Sequence, residues 1–250
     1  MAGVIGILQA RMASTRLPGK LLAPLAGRPL LQVLARRLAP SRHVTEWWLA
    51  TTATPADDVT EAWGRALGLE VFRGDVEDVL SRFTAIVRER QPQWVVRLTA
   101  DDPFTDAVVV DALVERALAA GPDAALVQEA PEGRRLPLGY APQVARASAL
   151  LEAEARIPSD RPWHRTHVLT FVAEQQGVTP LHVPAAWPAR PAWRWTVDTP
   201  ADLAMADAAF RLLGDRADAA DYPELVALLD AHPELVALNL GTRQKGISEG

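Results

Sequence analysis

The sequence contains no cysteine, which excludes disulfide bonds and thiolate metal sites. It also has no uninterrupted apolar run of about 18 residues, the length that a membrane-spanning helix requires. The amino terminus lacks the basic-then-apolar pattern of a secretory signal. We therefore expect a cytoplasmic protein that does not bind membranes. Its net charge of −5 argues against a general role in nucleic-acid binding.

Acidic side chains are missing from the first 45 residues, and the first acid of the chain is Glu46. The cations that precede it are Arg11, Arg16, Lys20, Arg28, Arg36, Arg37 and Arg42. Such a local excess of positive charge favours an anion at this end of the molecule. Arg36, Arg37 and Arg42 accompany a helical pattern, and we interpret them as the solvated outer face and end of that helix.

Neither common glycine-rich phosphate motif, GxxxxGK[ST] or GxGxxG, is present in the first loop, which disfavours a P-loop protein and a dinucleotide-binding fold. The loop QARMASTRLPGK (9–20) instead follows the apolar run VIGIL and leads towards a predicted helix. Loops in this position commonly bind phosphate. Arg11 and Arg16 can contact phosphate oxygens with two donors each, and Lys20 supplies a mobile charge. The alternative is a solvated basic loop.

Strand and helix patterns alternate along the chain up to residue 128. Strands are predicted at residues 4–8, 44–52, 69–72, 94–100 and 123–128. Helices are predicted at residues 28–39, 54–68, 77–90 and 105–120. This alternation predicts an α/β protein with a mostly parallel sheet covered on both faces. Ligands bind such sheets beyond the carboxyl ends of the strands, where segments 9–20, 50–52 and 100–103 are expected to converge.

The pattern loosens after residue 128, where two stretches, EAPEGRRLPLGYAP and IPSDRPWHRTH, are rich in proline and arginine. A strand, a turn and a helix are predicted again in WRWTVDTPADLAMADAAF (193–210). We therefore predict a single domain with a core at 1–128 and 193–240. The segment 129–192 is predicted to be an inserted lobe that closes over a ligand, and 241–250 a frayed tail.

Two carboxylates directly follow predicted strands: Asp101 in LTADDP and Asp198 in RWTVDTP. Acids at strand ends beside a phosphate-binding loop predict a Mg²⁺ ion held by one or two carboxylates and by substrate phosphates. Each motif also has a structural explanation, because Asp102 precedes a proline as in many turns and Asp198 could cap a helix. Asp102 adds a second negative charge beside Asp101, which either tightens metal binding or faces solvent.

Four motifs, QARMASTRLPGK, RGDVEDVLSRF, LTADDP and RWTVDTPADL, occur in an order and at separations that resemble the spore-coat-polysaccharide type of cytidylyltransferase. That family is kin to the CMP-ketodeoxyoctonate and CMP-acylneuraminate synthetases. The resemblance covers roughly residues 3–210. It implies one nucleotidyltransferase domain with a Rossmann-like, GT-A-like nucleotide-diphospho-sugar transferase fold. It also implies Mg²⁺-dependent transfer of CMP from CTP to an acceptor with release of pyrophosphate, and a possible homodimer formed through the lobe.

The resemblance further implies which residues bind the nucleotide. They would be Gln9, Ala10, Arg11, Ser14, Arg16, Lys20, Thr51, Gly74, Arg82 and Ala100. Thr51, Gly74 and Arg82 would lie near the cytosine and ribose, and the loop would hold the triphosphate.

The same resemblance assigns the chemistry of the site. Arg11 and Lys20 would be catalytic, since they would stabilise the charge that develops on the phosphate oxygens. Asp101 and Asp198 would bind the metal. The acceptor oxygen would attack the α-phosphorus without a covalent enzyme intermediate, so catalysis would depend on positioning and charge.

The acceptor side departs from the family pattern, because Leu138, Ala141 and Gln143 stand where relatives carry acids. The residues predicted to bind the acceptor are Arg134, Arg135, Gln143, His164, Arg165, His167 and Trp195. A site with many basic and few acidic side chains favours a small, strongly anionic acceptor such as a phosphonate or phosphonocarboxylate. A sugar acid is the alternative. For Trp195, which alternates with Trp193 along a predicted strand, core packing is the favoured interpretation.

Two functions of other classes stay open on the sequence alone. A glycosyltransferase that uses a finished nucleotide sugar would also have acids at a strand end, but its donor is not a triphosphate. A nucleotide-binding protein without activity would fit the altered acceptor side, although the retained Lys20, Asp101 and Asp198 argue against it.

Overall fold

The computed structural model describes residues 3–130 and 132–244. In these ranges the strands are β1 (Val4–Gln9), β2 (Pro24–Leu25), β3 (Arg28–Pro29), β4 (Glu46–Thr52), β5 (Glu70–Gly74), β6 (Trp94–Thr99), β7 (Leu126–Gln128), β8 (Gln143–Arg146) and β9 (Thr179–Pro180). The α-helices are α1 (Leu30–Leu38), α2 (Asp58–Ala66), α3 (Val79–Arg90), α4 (Ala107–Ala120), α5 (Ala147–Arg156), α6 (Trp163–His167), α7 (Thr170–Gln176), α8 (Pro200–Leu213), α9 (Tyr222–Ala231) and α10 (Pro233–Ala237).

Seven strands form one sheet in the order β5-β4-β1-β6-β8-β7-β9. The four strands from β5 to β6 are parallel, whereas β8 runs antiparallel to both β6 and β7. Strands β2 and β3 form a separate short antiparallel pair. The prediction of an α/β protein with a mostly parallel sheet is therefore confirmed.

Both faces of the sheet are buried, because successive side chains of a strand point to opposite sides. In β1, Val4 and Leu8 join the core formed with α1, α4 and α8, and Ile5 and Ile7 join the core formed with α3, α5 and α7. This explains why the strand reads as an uninterrupted apolar run. No helix in the described ranges is long and apolar enough to cross a membrane.

The second part of the chain differs from its sequence prediction in two places. Residues 193–197 form no strand, because only Arg194 makes a β-bridge, to Leu138. Within the segment predicted as a lobe, Gln143–Arg146 is strand β8 of the main sheet, paired with β6. The boundaries of core and lobe stay a prediction. Residues 245–250 of the predicted tail lie outside the described residues.

The interpretation of Arg37 as a solvated residue is wrong, since it is only 1% exposed. Its guanidinium donates to the carbonyl oxygens of Ala217 at 2.7 Å, Ala220 at 2.8 Å and Phe104 at 2.9 Å. It also lies 3.6 Å from a carboxylate oxygen of Asp106, the residue that caps α4. Helical periodicity places Arg37 on the inner face of α1, where three carbonyl groups need donors.

Replacing Arg37 with Met is expected to lower the free energy of unfolding by about 3 kcal/mol, because three carbonyls and a carboxylate lose their partner. The matched control is Arg36→Met on the same helix, whose side chain is 56% exposed and forms only a 3.5 Å ion pair. That control is expected to change the unfolding free energy by less than about 0.5 kcal/mol. Urea unfolding of both variants measures the difference, and equal losses would contradict the role of Arg37.

Candidate active site

Three segments of the chain meet at the carboxyl edge of the parallel strands. They are the loop after β1, the turn after β6 and the segment that precedes α8. The amide of Ala100 donates to the carbonyl of Gln9, and the amide of Val197 donates at 2.8 Å to the carbonyl of Asp101. These main-chain bonds hold the distant segments side by side, so segments 9–20 and 100–103 meet as predicted from the strand ends. The third predicted segment, 50–52, contacts the loop through the bond from the Ala10 amide to the Ala50 carbonyl, and the segment before α8 joins them in addition.

The basic loop is folded back on itself around Met12. The carbonyl of Met12 accepts from the amides of Ser14 at 2.9 Å and Gly19 at 3.1 Å. Its amide donates to the Asp57 carboxylate at 2.8 Å. Gly19 has a φ of 73°, a value that glycine adopts without strain, and it leads into a 3₁₀ turn that begins at Lys20. The turn directs the lysine towards the sheet rather than into solvent.

Lys20 is buried between the two aspartates predicted to bind metal. Its Nζ donates to Asp101 Oδ2 at 2.5 Å and to Asp198 Oδ1 at 2.8 Å. Burial by itself would lower the pKa of the ammonium, but the two carboxylates raise the pKa of Lys20 above its ordinary value. Lys20 is therefore charged, and it links side chains that are 81 and 178 residues away along the chain.

The Asp198 carboxylate contacts three cationic side chains of the site. Its Oδ2 lies 2.8 Å from Arg16 Nη2 and accepts from Arg194 Nη2 at 2.7 Å, in addition to the bond from Lys20. Burial alone would raise the pKa of this carboxyl, but Lys20, Arg16 and Arg194 lower the pKa of Asp198 below its ordinary value. The capping box of α8 is made by Thr199 and Asp202, so Asp198 does not cap this helix.

A crevice of about 380 Å³ opens over these residues, a volume within the range of small-molecule sites. Its lining comprises Gln9, Ala10, Arg11, Ala13, Ser14, Thr15, Arg16, Lys20, Leu21, Arg82, Thr99, Ala100, Asp101 and Asp198. Of the ten residues predicted to bind the nucleotide, only Thr51 and Gly74 do not line it. Thr51 is fully buried at the end of β4, and Gly74 packs against the Arg82 side chain.

Arg11 and Arg82 supply unneutralised positive charge to the crevice. Arg11 is exposed, and Arg82 is buried, with Nη1 donating to the Ala50 carbonyl at 3.0 Å. Among the described residues neither forms an ion pair, and the Arg82 Nε has no hydrogen-bond partner. Burial and the neighbouring Arg11 lower the pKa of Arg82. Two like charges held beside one crevice favour the binding of a polyanion.

Asp102 does not extend the group formed by Asp101 and Asp198. Its carboxylate accepts from the Thr99 hydroxyl at 2.6 Å, and it does not line the crevice. Burial and the adjacent Asp101 raise the pKa of Asp102 to about 7. In the described part of the chain, no group of three or more acidic or histidine side chains could hold a metal ion. The acidic side chains that line the crevice are Asp101 and Asp198.

Most residues predicted to bind the acceptor are not gathered at the crevice. Arg134 donates to the Pro191 carbonyl at 2.7 Å, and Arg135 donates to the Trp187 carbonyl at 2.7 Å. Arg165 pairs with Asp78 at 2.8 Å, at the start of α3. These bonds tie loops and helices together, and none of the three arginines lines the crevice, so their role in acceptor binding stays a prediction.

The remaining acceptor candidates are also dispersed. His164 is buried and bonds to Thr170 at 2.8 Å, and His167 does not line the crevice. Trp195 is 1% exposed, and its ring centroid lies 5.1 Å from that of Phe104 in the core, so the packing interpretation is the arrangement found. Gln143 differs from the others because it bonds to Arg97, beside Gln9 of the crevice.

Gly139, in the stretch LPLGYAP, occupies a position where the backbone requires glycine. Gly139 has a φ of 90°, and a Cβ atom there would lie 2.3 Å from the amide nitrogen of Thr196. The chain around Leu138 therefore approaches residues 193–197 closely, with Leu138 bonded to Trp193 and Trp195 through the main chain. This contact supports the segment that carries Asp198.

A sequence profile of the family described as Cytidylyltransferase matches residues 5–157. The spore coat polysaccharide biosynthesis protein SpsF of Bacillus subtilis is 32% identical over 241 residues, which cover 94% of this chain and 97% of that protein. The chain belongs to the cytidylyltransferase family. A 3-deoxy-manno-octulosonate cytidylyltransferase of Anaeromyxobacter dehalogenans is 31% identical over 70% of this chain and 75% of its own.

Solved structures agree with this membership at the level of the fold. A cytidylyltransferase from Leptospira borgpetersenii superposes with a TM-score of 0.86 at 23% identity, over 98% of this chain and 100% of that one. A CMP:2-keto-3-deoxy-manno-octonic acid synthetase complexed with CTP superposes with a TM-score of 0.60 at 19% identity, over 83% and 98%. The nucleotidyltransferase-like fold predicted for this enzyme is therefore confirmed.

Two signals in the sequence were not used in predicting the cytidylyltransferase site. Arg97 interrupts the apolar strand WVVRLT, where a charge needs a reason. Lys20 is one of two lysines in a chain whose other cations are arginine, the second being Lys245. A lysine kept in so arginine-rich a sequence indicates that a compact charge is needed at that position.

Proposed function

We propose that this cytidylyltransferase transfers CMP from CTP to a small acceptor that carries an acid group, and releases pyrophosphate. The observation that carries the proposal is the placement of Lys20 between Asp101 and Asp198 within the crevice. Arg11, Arg16 and Arg82 surround these three residues, so the crevice combines bound carboxylates with an excess of cations. A triphosphate with a divalent cation complements both features.

The residues of this chain would act by positioning and by stabilising charge. Arg11 and Arg16 present planar donor pairs that suit phosphate oxygens, and Lys20 supplies a compact charge. The acceptor oxygen would attack the α-phosphorus, and pyrophosphate would leave in line with it. No side chain is required to form a covalent intermediate, since the cations neutralise the charge that develops on the phosphate oxygens.

The donor set at the crevice fits Mg²⁺. Asp101 Oδ2 and Asp198 Oδ1 lie within 2.5 and 2.8 Å of one nitrogen, so both oxygens are within reach of one small ion. Magnesium is commonly held by one or two carboxylates, with water and substrate phosphates completing its shell. Held by Asp101 and Asp198, Mg²⁺ would supply positive charge that neutralises the phosphates. With its carboxylates bound to the metal, Lys20 would be free to donate to phosphate.

The proposal specifies that the acceptor carries an acid group and does not choose between a phosphonate and a sugar acid. The basic residues of segment 129–192 favour a phosphonate, but Arg134 and Arg135 donate to main-chain carbonyls and Arg165 pairs with a carboxylate of the protein. A sugar acid is supported by the relative described as a 3-deoxy-manno-octulosonate cytidylyltransferase. Both acceptor classes carry the anion that the proposal requires. The homodimer also stays a prediction.

Pyrophosphate release measured over a matrix of nucleoside triphosphates and acceptors tests the proposed function. The acceptor panel contains sugar acids, small phosphonates and phosphonocarboxylates, and the neutral sugars that correspond to the acids. We expect turnover with CTP, Mg²⁺ and at least one acid, and none with the neutral counterparts. Turnover confined to neutral acceptors, or tight CTP binding without turnover for any acid, would contradict the proposal.

A further inference from the structure

A polar row crosses the sheet beside the crevice, on the face that packs against α3 and α5. Arg97 of β6 is its centre. Its Nη2 donates to Gln9 Oε1 of β1 at 2.9 Å, and its Nη1 donates to Gln143 Oε1 of β8 at 2.6 Å. Gln143 in turn donates to Gln128 of β7. The row therefore consists of one cation and three neutral amides.

The charge of Arg97 is not balanced within the described residues. It forms no ion pair, because both of its bonds go to neutral amide oxygens, and its Nε is buried without a partner. The carboxylates of Asp102 and Asp101 attract it electrostatically, but both lie beyond ion-pair distance. Burial lowers the pKa of Arg97 to about 10, so the group is still charged at neutral pH. An unpaired charge is costly even when it is half-buried, as Arg97 is, and its place in the sheet needs a reason.

Tying three strands together is an insufficient reason, because neutral side chains could do so without burying a charge. Arg37, in contrast to the half-buried Arg97, is fully buried, and it has three carbonyl acceptors and a carboxylate 3.6 Å away. Arg97 has fewer acceptors and no carboxylate at that distance. The missing partner of Arg97 is thus an anion that the described protein residues do not supply.

The row is continuous with the crevice. Gln9, which accepts from Arg97, lines the crevice, and so does Thr99, two residues further along β6 and on the same face. Two residues of a strand span roughly 7 Å, a distance that an extended arginine side chain can cover. Arg97 remains partly exposed, so a small molecule can reach it. An anion bound there would lie beside the phosphates rather than among them.

We propose that Arg97, positioned by Gln9 and Gln143, binds the acid group of the acceptor. This inference rests on the proposed transfer of CMP to an acid. It assigns recognition of the carboxylate or phosphonate to the guanidinium, which can bind either with two parallel donors. Gln143 keeps the guanidinium oriented without neutralising it. The amide at this position leaves the charge available to the acceptor, whereas a carboxylate there would occupy it.

Two variants test the assignment with steady-state kinetics. Arg97→Gln removes the charge, and Gln143→Glu supplies an internal carboxylate of the same size. Both are expected to raise the acceptor KM at least about 10-fold, with the KM for CTP changed less than about 3-fold. Gln143→Glu is also expected to raise the Tm of the free enzyme, because it pairs a buried charge. The control, Arg146→Gln on β8, removes bonds to main-chain carbonyls and should lower the Tm without changing the acceptor KM.

The outcomes separate the inference from the proposed function. Wild-type turnover with an acid, together with an unchanged acceptor KM in both variants, would overturn the role of Arg97 alone. The same conclusion follows if both variants raise the KM for CTP and for the acceptor equally, as a structural role would. Failure of the wild-type enzyme to use any acid in the panel would remove the proposed function and the role of Arg97 with it.

Discussion

Replacing Asp101 with Asn is expected to slow CMP transfer by about 10³-fold at fixed Mg²⁺, because the proposed metal would lose one of its two carboxylates. The substitution is nearly isosteric, and Lys20 keeps its 2.8 Å bond to Asp198, so the fold should persist. The concentration of Mg²⁺ needed for half-maximal rate should rise. Pyrophosphate release measured over a magnesium titration, with CTP and an accepted acid in excess, gives both quantities.

The adjacent Asp102 provides the matched control for Asp101. Its carboxylate accepts from Thr99 and lies outside the crevice lining, although the two residues are adjacent in the chain. Asp102→Asn is therefore expected to reduce the rate less than about 10-fold and to leave the magnesium requirement unchanged. A larger loss in Asp102→Asn than in Asp101→Asn would show that the metal ligands had been assigned to the wrong carboxylate.

Replacing Lys20 with Met is expected to reduce the rate by a similar factor of about 10³, because a cation that stabilises the reacting phosphates is lost. The free energy of unfolding should also fall, by about 2 kcal/mol. The carboxylates of Asp101 and Asp198 share the Lys20 ammonium, and without it they would repel each other. In this variant Mg²⁺ alone should restore the Tm, because the ion can replace the missing charge between Asp101 and Asp198. Without CTP, the same addition of Mg²⁺ should raise the Tm of the wild-type protein much less.

The matched control for Lys20 is Arg28→Met. Arg28 is also a cation of the acid-free amino-terminal region, but it binds Asp218 with bonds of 2.6 and 2.9 Å and does not line the crevice. Its replacement should leave the rate within about 3-fold of the wild type and should create no stabilisation by magnesium. If Mg²⁺ raised the Tm of both variants equally, the ion would not be binding between the two aspartates.

The amino-terminal sheet could be predicted from the sequence because its strands are short apolar runs and its helices carry clear caps. Each signal is local: Asp78 and Asp106 cap helices through bonds to amides two or three residues away. Residues 193–197 were predicted as a strand because their alternating pattern satisfies the same local rule. Their actual partners are single main-chain groups near Leu138 and Asp101, a non-local arrangement that periodicity does not encode.

Arg37 and Arg97 show the same limit for side chains. Both are arginines within regular elements, and a helical or strand pattern indicates the face of each without indicating what lies opposite. The acceptors of Arg37 come from the segments that precede α4 and α9, and those of Arg97 come from two other strands. Only the packed structure distinguishes a cation bound by carbonyls from one that lacks an anion.

The sequence by itself determined the parallel α/β core, the basic loop after the first strand and the two strand-end aspartates, since each depends on residues adjacent in the chain. The tertiary structure decided that Lys20, Asp101 and Asp198 meet within hydrogen-bonding distance. It also decided that the predicted acceptor arginines of segment 129–192 bond elsewhere. The physical reason is that charge pairing acts over a few ångströms in space, between side chains whose separation along the chain places no limit on their contact.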